Sequence, residues 1–448
     1  MINKSKLPPG PKSKIPLSTF FSFRKDSLGF LKKVSDEYGD ITHFKLGPLR
    51  IVLLNHPDYI KEVLSVQHGN FVKGRPLEMA KELLGEGLLT NEGESHKRQS
   101  RIIQPAFHSK MMNVYAPPMT DYATLLMNGW EDGMKVDMME EMIKMSTGIA
   151  GMTMFNMDVE EEAPEISEAL RSIMSLFGRI TLPFAEVLLK LPLPGTIRFF
   201  KAAARLDKTI YRIIDERRRS KLNNGDLLSL LLQAQEDKGS DGGMTDKQIR
   251  DEALTLFLTA LDTTSLALTW TWYLLSQHPE VEAELHKELD RELNGRIPTP
   301  EDYPQLKLTR MVFAESMRMY PPIYIIARQA LEDFSIGNYI VPGGSIVLMS
   351  PYLIHHDSRF HSEPDKFNPH SLAEHSGGQR SRYDYFPFSG GPRSCIGQHY
   401  AWLEGVLVIA SIAQTWRFKT VPNHPVEFEQ LINLRPRYGM RMSVTRRK

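Results

Sequence analysis

The chain has 448 residues, 41% hydrophobic and 24% charged, ordinary globular usage that excludes a disordered, collagenous or polytopic membrane protein. Its 55 basic and 54 acidic side chains leave a formal charge of +1, so there is no global pull toward nucleic acid or anionic lipid and any partner must be met locally. A single cysteine, Cys395, excludes an internal disulfide and any thiolate cluster.

The lead Met1–Pro16 is Pro-rich and lacks the apolar stretch of about 7–15 residues of a secretory signal, which points to a cytosolic protein without a transmembrane anchor. An amphipathic stretch, Leu28–Tyr38, reads as a helix; the runs Ile41–Leu46 and Arg50–Leu54, joined at Gly47-Pro48, read as a hairpin. From about Pro57 to Glu315 apolar residues recur mostly at helical spacing, with breaks expected at Pro105, at Pro117-Pro118, at Pro183 and at the turn from Leu191 to Gly195. Thr245 with Gln248 three residues on is a capping-box signature, so a helix is predicted from about Asp246 to Gln277, roughly 48 Å long. Its segment Leu254–Ser276 has the length of a membrane span, but Asp262 near the middle would be costly in hydrocarbon, and a buried central helix is expected instead. Strand patterns return between Ile323 and Met349, turning at Gly343-Gly344; a last helix follows from about Ile396 to Trp416, and the tail alternates as strand. No repeat or linker divides the chain. The fold class is mainly α within α+β, one domain over residues 1–448, with a helical bulk, a long central helix and small β-sheets.

The cysteine stands in Phe388-Ser-Gly-Gly391-Pro-Arg393-Ser-Cys395-Ile-Gly397, directly before the last helix. A lone cysteine is most often a small buried hydrophobe. Here consecutive glycines let backbone approach a flat ligand, and a helix start favours thiolate over thiol. Arg393 is suited to grip a carboxylate bidentately. Together they describe an axial thiolate for haem iron with a propionate clamp beside it.

The pattern Phe-x-x-Gly-x-Arg-x-Cys-x-Gly resembles the haem-binding signature of the cytochrome P450 family, and Phe388, Gly391, Arg393, Cys395 and Gly397 fill every specified position. A second match is Glu315-Ser-Met-Arg318 followed by Met319-Tyr-Pro-Pro322, where the resemblance gives Glu315 and Arg318 a structural role in holding the cysteine loop. Glu168/Arg171, Glu216/Arg219 and Glu288/Arg291 share the spacing without the context and read as solvated pairs. The family's third partner, an arginine after a Phe-x-Pro element, is missing: Phe367-Asn-Pro369 is followed by His370 and Ser371, which leaves that partner open. His355-His356, read as adjacent strand residues facing opposite ways, are assigned a structural or surface role.

On the central helix Thr259-Ala-Leu-Asp262-Thr263-Thr264 is similar to the family's oxygen-binding segment. The resemblance makes Asp262 and Thr263 the acid and alcohol that deliver protons during O–O cleavage, which consumes two protons and must exclude stray water. The competing reading is a threonine bonded back to its own helix and an acid paired with a base. Thr259 and Ala260 depart from the usual small apolar residue and glycine, and Thr259 is expected at the haem edge, modulating coupling. Arg328 and His96 resemble further propionate partners, although Ser100, followed by Arg101, stands where the family has a base. Thr259, Ile323 and Ile325 are the candidate substrate-pocket residues, and the 22 methionines, Met138, Met139 and Met142 among them, read as adaptable core.

The resemblance implies a soluble, cytoplasmic, monomeric haem b monooxygenase that inserts one atom of O2 into a lipophilic small molecule, by hydroxylation or epoxidation. No flavin, nicotinamide or iron–sulfur signature accompanies the haem motif, so two electrons come from a separate ferredoxin or flavodoxin with its reductase. Lys97, Arg98, Arg101, Arg380 and Arg382 are the candidate docking patch for that donor, while Arg217-Arg218-Arg219 and Lys221 read as solvent-facing. The rival readings are a peroxide-driven oxygenase or isomerase and, from another class, a haem-thiolate sensor without a proton relay.

Overall fold

The computed structural model describes residues 7–12, 18–159, 166, 168–169, 191, 193–236, 243–371 and 381–447. Much of the lead, Pro183, Pro192 and Arg380 lie outside them. The chain forms two compact units, the first made of Met1–Glu78, Met317–Cys395 and Glu429–Arg435, the second of Met79–Ser316, Ile396–Phe428 and Pro436–Lys448.

The first unit is built on a five-stranded sheet in the order Ile41–Leu46, Leu49–Leu54, Ile346–Met349, Ile326–Ala330, Phe71–Val72. The hairpin pairs Ile41 with Leu54, and its second strand runs parallel to Ile346–Met349, pairing Ile51 with Ile346. Because side chains alternate along a strand, Val52 and Leu54 enter one apolar cluster with Ile326, Val347 and Met349, while Ile51 and Leu53 enter another with Leu31, Val34 and Phe44. A sheet covered on both faces is a rigid platform. Leu31 and Val34 come from the helix Ser27–Tyr38, whose Asp26 cap accepts the Gly29 N–H. Between the strand Phe334–Ile336 and the strand Tyr339–Val341 the chain turns at Gly337, with φ +53°, so the predicted strand region folds back there as well as at Gly343-Gly344.

The second unit is helical around Asp246–Gln277, which packs on Met138–Phe155 and on Gln398–Ala413. The capping box is present, Thr245 Oγ1 accepting the Gln248 N–H and Gln248 returning to Thr245 N–H. This helix is the only one among the described residues long and apolar enough to cross a membrane, and 83% of its most apolar window is buried in protein. Two of its interior hydroxyls are spent on its own backbone: Thr269 and Thr271 donate to the carbonyls of Ser265 and Ala267. Met138, Met139 and Met142 are core, with Trp272 Nε1 donating to the Met142 sulfur at 3.4 Å. The strands Lys135–Asp137, Arg441–Arg446 and Trp416–Thr420 form a small antiparallel sheet.

Four local expectations are corrected. Pro117 and Pro118 do not end a helix; Ser109–Asn128 runs through both. The Glu288 of the supposed solvated pair is buried and caps the helix Lys307–Met319, accepting the N–H groups of Leu308 and Thr309 at 2.6 and 2.9 Å. Arg217 is not solvent-facing: it is buried, bidentate to Asp226 at 2.7 Å on both oxygens, and also donates to Ser229 Oγ. A desolvated guanidinium needs that many acceptors. His355 lies at the end of a helix, Pro351–His355, with His356 as its C-cap, and not on a strand.

Candidate active site

The cysteine loop is hung from the sheet of the first unit. Tyr383 and Phe386 are buried in the cluster that contains Val52, Val347 and Met349, and Tyr383 Oη shares a 2.6 Å hydrogen bond with Ser65 Oγ. His361 Nε2 donates to the Asp384 carbonyl at 2.9 Å, and His355 Nε2 accepts the Phe386 N–H at 3.1 Å. Burial, reinforced by nearby His361, His356 and Arg318, holds the His355 pKa well below that of a free imidazole, which keeps the ring neutral and able to accept. From that anchor the chain curls on itself: Ser389 N–H bonds to Phe386 O, Ser394 N–H to Gly391 O, and Cys395 N–H to Phe388 O, each at 3.0 Å.

The turn requires glycine at one position above all. Gly391 has φ +70°, and a Cβ there would fall 1.8 Å from the Leu64 carbonyl oxygen. Cys395 itself is exposed at the end of the curl, and its N–H is already bonded. The following helix begins at Gln398 with Gly397 as its cap, two residues past the expected start at Ile396, and Cys395 precedes it as the sequence suggested.

Arg318 supports the same loop from behind. The buried guanidinium donates to the carbonyls of His355, Pro364 and Lys366 at 2.7, 2.6 and 2.9 Å. One path therefore runs from Arg318 to the backbone of His355, through the His355 ring to Phe386, and on to Ser389. His370 is exposed. His355 was legible only as a structural residue; its partner Phe386 lies 31 positions away, a separation that no local pattern encodes.

Arg328 is 8% exposed in the strand Ile326–Ala330 and points to the face that carries Ile326 and Ala330, the face that also holds Tyr383 and Phe386. The two isoleucines proposed together for a substrate pocket part company: Ile323 packs on that same cluster, whereas Ile325 packs on the opposite one with Leu31 and Phe44.

In the second unit the central helix is buried at every position from Ile249 to Trp272 except Thr259, Ala260 and Thr263. Those three, at i, i+1 and i+4, share one face and form a narrow, partly exposed strip on an otherwise enclosed helix. Thr263 Oγ1 donates to Thr259 O at 2.9 Å and Thr259 Oγ1 to Thr255 O at 2.8 Å, the back-bonded arrangement; each oxygen keeps lone pairs to accept. Asp262, beside Thr263, is buried. His96 is half-buried on the helix Gly93–Ile103, where Lys97 is exposed and pairs with Glu94 at 2.6 Å.

The family model for cytochrome P450 matches residues 8–440. This chain belongs to the cytochrome P450 family. It is 36% identical over 388 residues to cyclooctatin synthase of Streptomyces melanosporofaciens, covering 86% of this chain and 84% of that protein. It is 34% identical, with the same coverages, to cyclooctat-9-en-7-ol 5-monooxygenase of the same organism, and 29% identical to pentalenene oxygenase of Streptomyces avermitilis, over 94% of this chain and 93% of the other. The protein is a P450 monooxygenase, an oxidoreductase that uses haem iron and O2.

The residues present fit that group. Free cysteines are among the most buried of side chains, yet Cys395 is presented exposed at the tip of a braced loop, a soft sulfur donor suited to iron. Arg328 is a cation held at an apolar sheet face.

Proposed function

We propose that this P450 inserts one oxygen atom of O2 into a largely hydrocarbon small molecule, by hydroxylation or epoxidation, with two electrons from a separate ferredoxin or flavodoxin. The observation that carries the reading is the exposed Cys395 within a signature whose every specified position is filled. Pentalenene oxygenase and cyclooctat-9-en-7-ol 5-monooxygenase are by name oxygenases of unsaturated carbon skeletons, which supports an apolar substrate over a charged one.

Cys395 would supply the thiolate ligand to the iron of haem b, Arg393, Arg328 and His96 would hold its propionates, and Phe388, Gly391 and Gly397 would shape the loop. When bound, haem would supply the oxygen activation, a chemistry that a thiolate ligand favours. Thr263 holds a proton on Oγ1, now committed to Thr259 O, and passes it by rotating away from that carbonyl. Asp262, the adjacent buried carboxyl, replenishes it. Thr259, whose hydroxyl is tied to Thr255 O, and Ile323 line the substrate side, while Ile325 belongs to the core. Glu315 and Arg318 are structural, and residues 1–448 act as one haem domain.

The test is Cys395→Ser. The variant should lose the reduced carbon monoxide spectrum of a haem thiolate, and an unchanged spectrum would overturn the assignment. A ligand screen of the ferric protein by difference spectroscopy, across terpenes, steroids, fatty acids and aromatics, then identifies the substrate class, with unsaturated hydrocarbons expected to give the displacement of a sixth ligand. Turnover with an acidic donor should fall as ionic strength rises; insensitivity would remove Lys97, Arg98, Arg101 and Arg382 from the docking site.

A further inference from the structure

Ahead of the helix Gly93–Ile103, the segment 85–91 lies so close to the central helix at Gly85 and Gly87 that no Cβ fits at either. Gly85 has φ +57°, and a Cβ on it would fall 2.1 Å from the Asp251 carboxyl carbon; a Cβ on Gly87 would fall 2.2 Å from Thr255 Oγ1 and 2.7 Å from Asp251 O. Across this contact two adjacent carboxyls grip alternate backbone donors: Glu86 N–H bonds to Asp251 and Leu88 N–H to Glu252 Oε2, both at 2.9 Å. The segment is also closed on itself, Thr90 Oγ1 donating to Gly85 O at 2.7 Å and Asn91 N–H to Gly87 O at 2.9 Å, so it forms one compact strap.

The two carboxyls are not equivalent. Asp251 is balanced by Arg250 at 2.7 Å and Lys247 at 2.9 Å, and Arg250 also binds Asp207. Glu252 is completely buried and makes one hydrogen bond with Leu88; its second oxygen, Oε1, has no hydrogen-bond partner among the described residues, and neither does Thr255 Oγ1 one turn along the helix. A buried carboxyl in that setting is costly to ionise.

We propose that Asp251 and Glu252 are positioning residues that latch the strap onto the central helix, and that the latch releases when the Glu252 proton passes to solvent. Burial pushes the Glu252 pKa from 4.5 to about 8, opposed by the Leu88 N–H and assisted by the Asp251 charge. The charged group recorded as acting on it is Asp251, which is itself paired with Arg250 and Lys247, and Arg250 in turn binds Asp207. Once the strap lifts and water reaches the carboxyl, its pKa returns toward 4.5, so between 4.5 and about 8 each opening event gives up a proton. The opening equilibrium therefore rises about tenfold per pH unit across that window and levels off above it. The strap leads into the helix that carries His96, so strap position sets where that helix begins; this consequence rests on the reading of His96 as a haem contact, whereas the latch stands without it.

Amide hydrogen exchange of Glu86 and Leu88, measured against pH on the full chain, tests the latch independently of haem loading. Exchange from an open state is itself first order in hydroxide. The wild type should therefore follow second-order dependence on hydroxide between pH 4.5 and about 8 and first-order dependence outside that window, while Glu252→Gln, which cannot ionise, should be first order throughout. First-order behaviour across the whole range in the wild type would overturn the proposal, as would second-order behaviour retained in the variant. The wild-type profile decides even if the variant fails to fold. Failure of the Cys395→Ser test would leave this result untouched, and the reverse holds as well.

Discussion

Replacement of Gly391 by alanine tests whether backbone contact, and not the cysteine alone, shapes the ligand loop. Two costs are separable. An L-residue at φ +70° loses about 1–2 kcal/mol, and a methyl 1.8 Å from the Leu64 carbonyl oxygen must push the loop off residues 62–66 at a further cost of about 1–3 kcal/mol. Gly344 supplies the control: it has φ +76° with nothing within 4 Å of its would-be Cβ. Gly344→Ala carries only the first cost, and the loss of backbone freedom in the unfolded chain cancels between the two variants. Urea unfolding followed by circular dichroism should place Gly391→Ala below Gly344→Ala by about 1–3 kcal/mol. Only Gly391→Ala should weaken haem retention, because only that glycine lies in the curl that ends at Cys395. If the two variants agree within about 0.5 kcal/mol and bind haem equally, the packing of Gly391 on Leu64 does not hold the loop, and the reasoning fails.

Arg318→Lys should destabilise the protein by about 3–5 kcal/mol and abolish haem retention, since a single ammonium cannot serve the carbonyls of His355, Pro364 and Lys366 together; thermal unfolding and haem titration read both effects. Glu404, buried and accepting from Ser146 at 2.9 Å, has its pKa raised by burial from 4.5 to about 8. Its stabilising contribution is complete below pH 4.5 and is lost as pH rises toward about 8, so the stability of Glu404→Gln relative to wild type should improve across that window by up to about 5 kcal/mol, and a flat difference refutes the shift. Thr245→Ala should remove the cap of the central helix at a cost of about 1 kcal/mol in thermal unfolding, without altering the reduced carbon monoxide spectrum.

Local chemistry carried the motif-level reading. The Thr245–Gln248 box, the limits of the central helix and the hairpin after Tyr38 are all within a few residues of what spacing predicts, because each depends on neighbours in the chain. Where the expectation failed, a distant partner had reversed a local preference. Arg217 and Glu288 look like members of exposed charge runs, and each is buried because Asp226 or the start of Lys307–Met319 satisfies it. Pro117-Pro118 reads as a stop, yet tertiary packing carries the helix across it.

The candidate site divides the same way. Cys395, Arg393, Asp262 and Thr263 are proposed from the chain alone, because the cysteine motif and the acid–alcohol pair each lie within a few consecutive residues. That Arg318, His355 and Phe386 form one support for the cysteine loop, that Ile323 and Ile325 enter opposite faces of a sheet, and that a glycine strap is gripped by Asp251 and Glu252 follow only from the folded arrangement. The physical reason is range: a cap or a turn is decided by groups a few bonds apart, whereas burial and the hydrogen bonds that make it tolerable are decided by whatever the fold brings alongside.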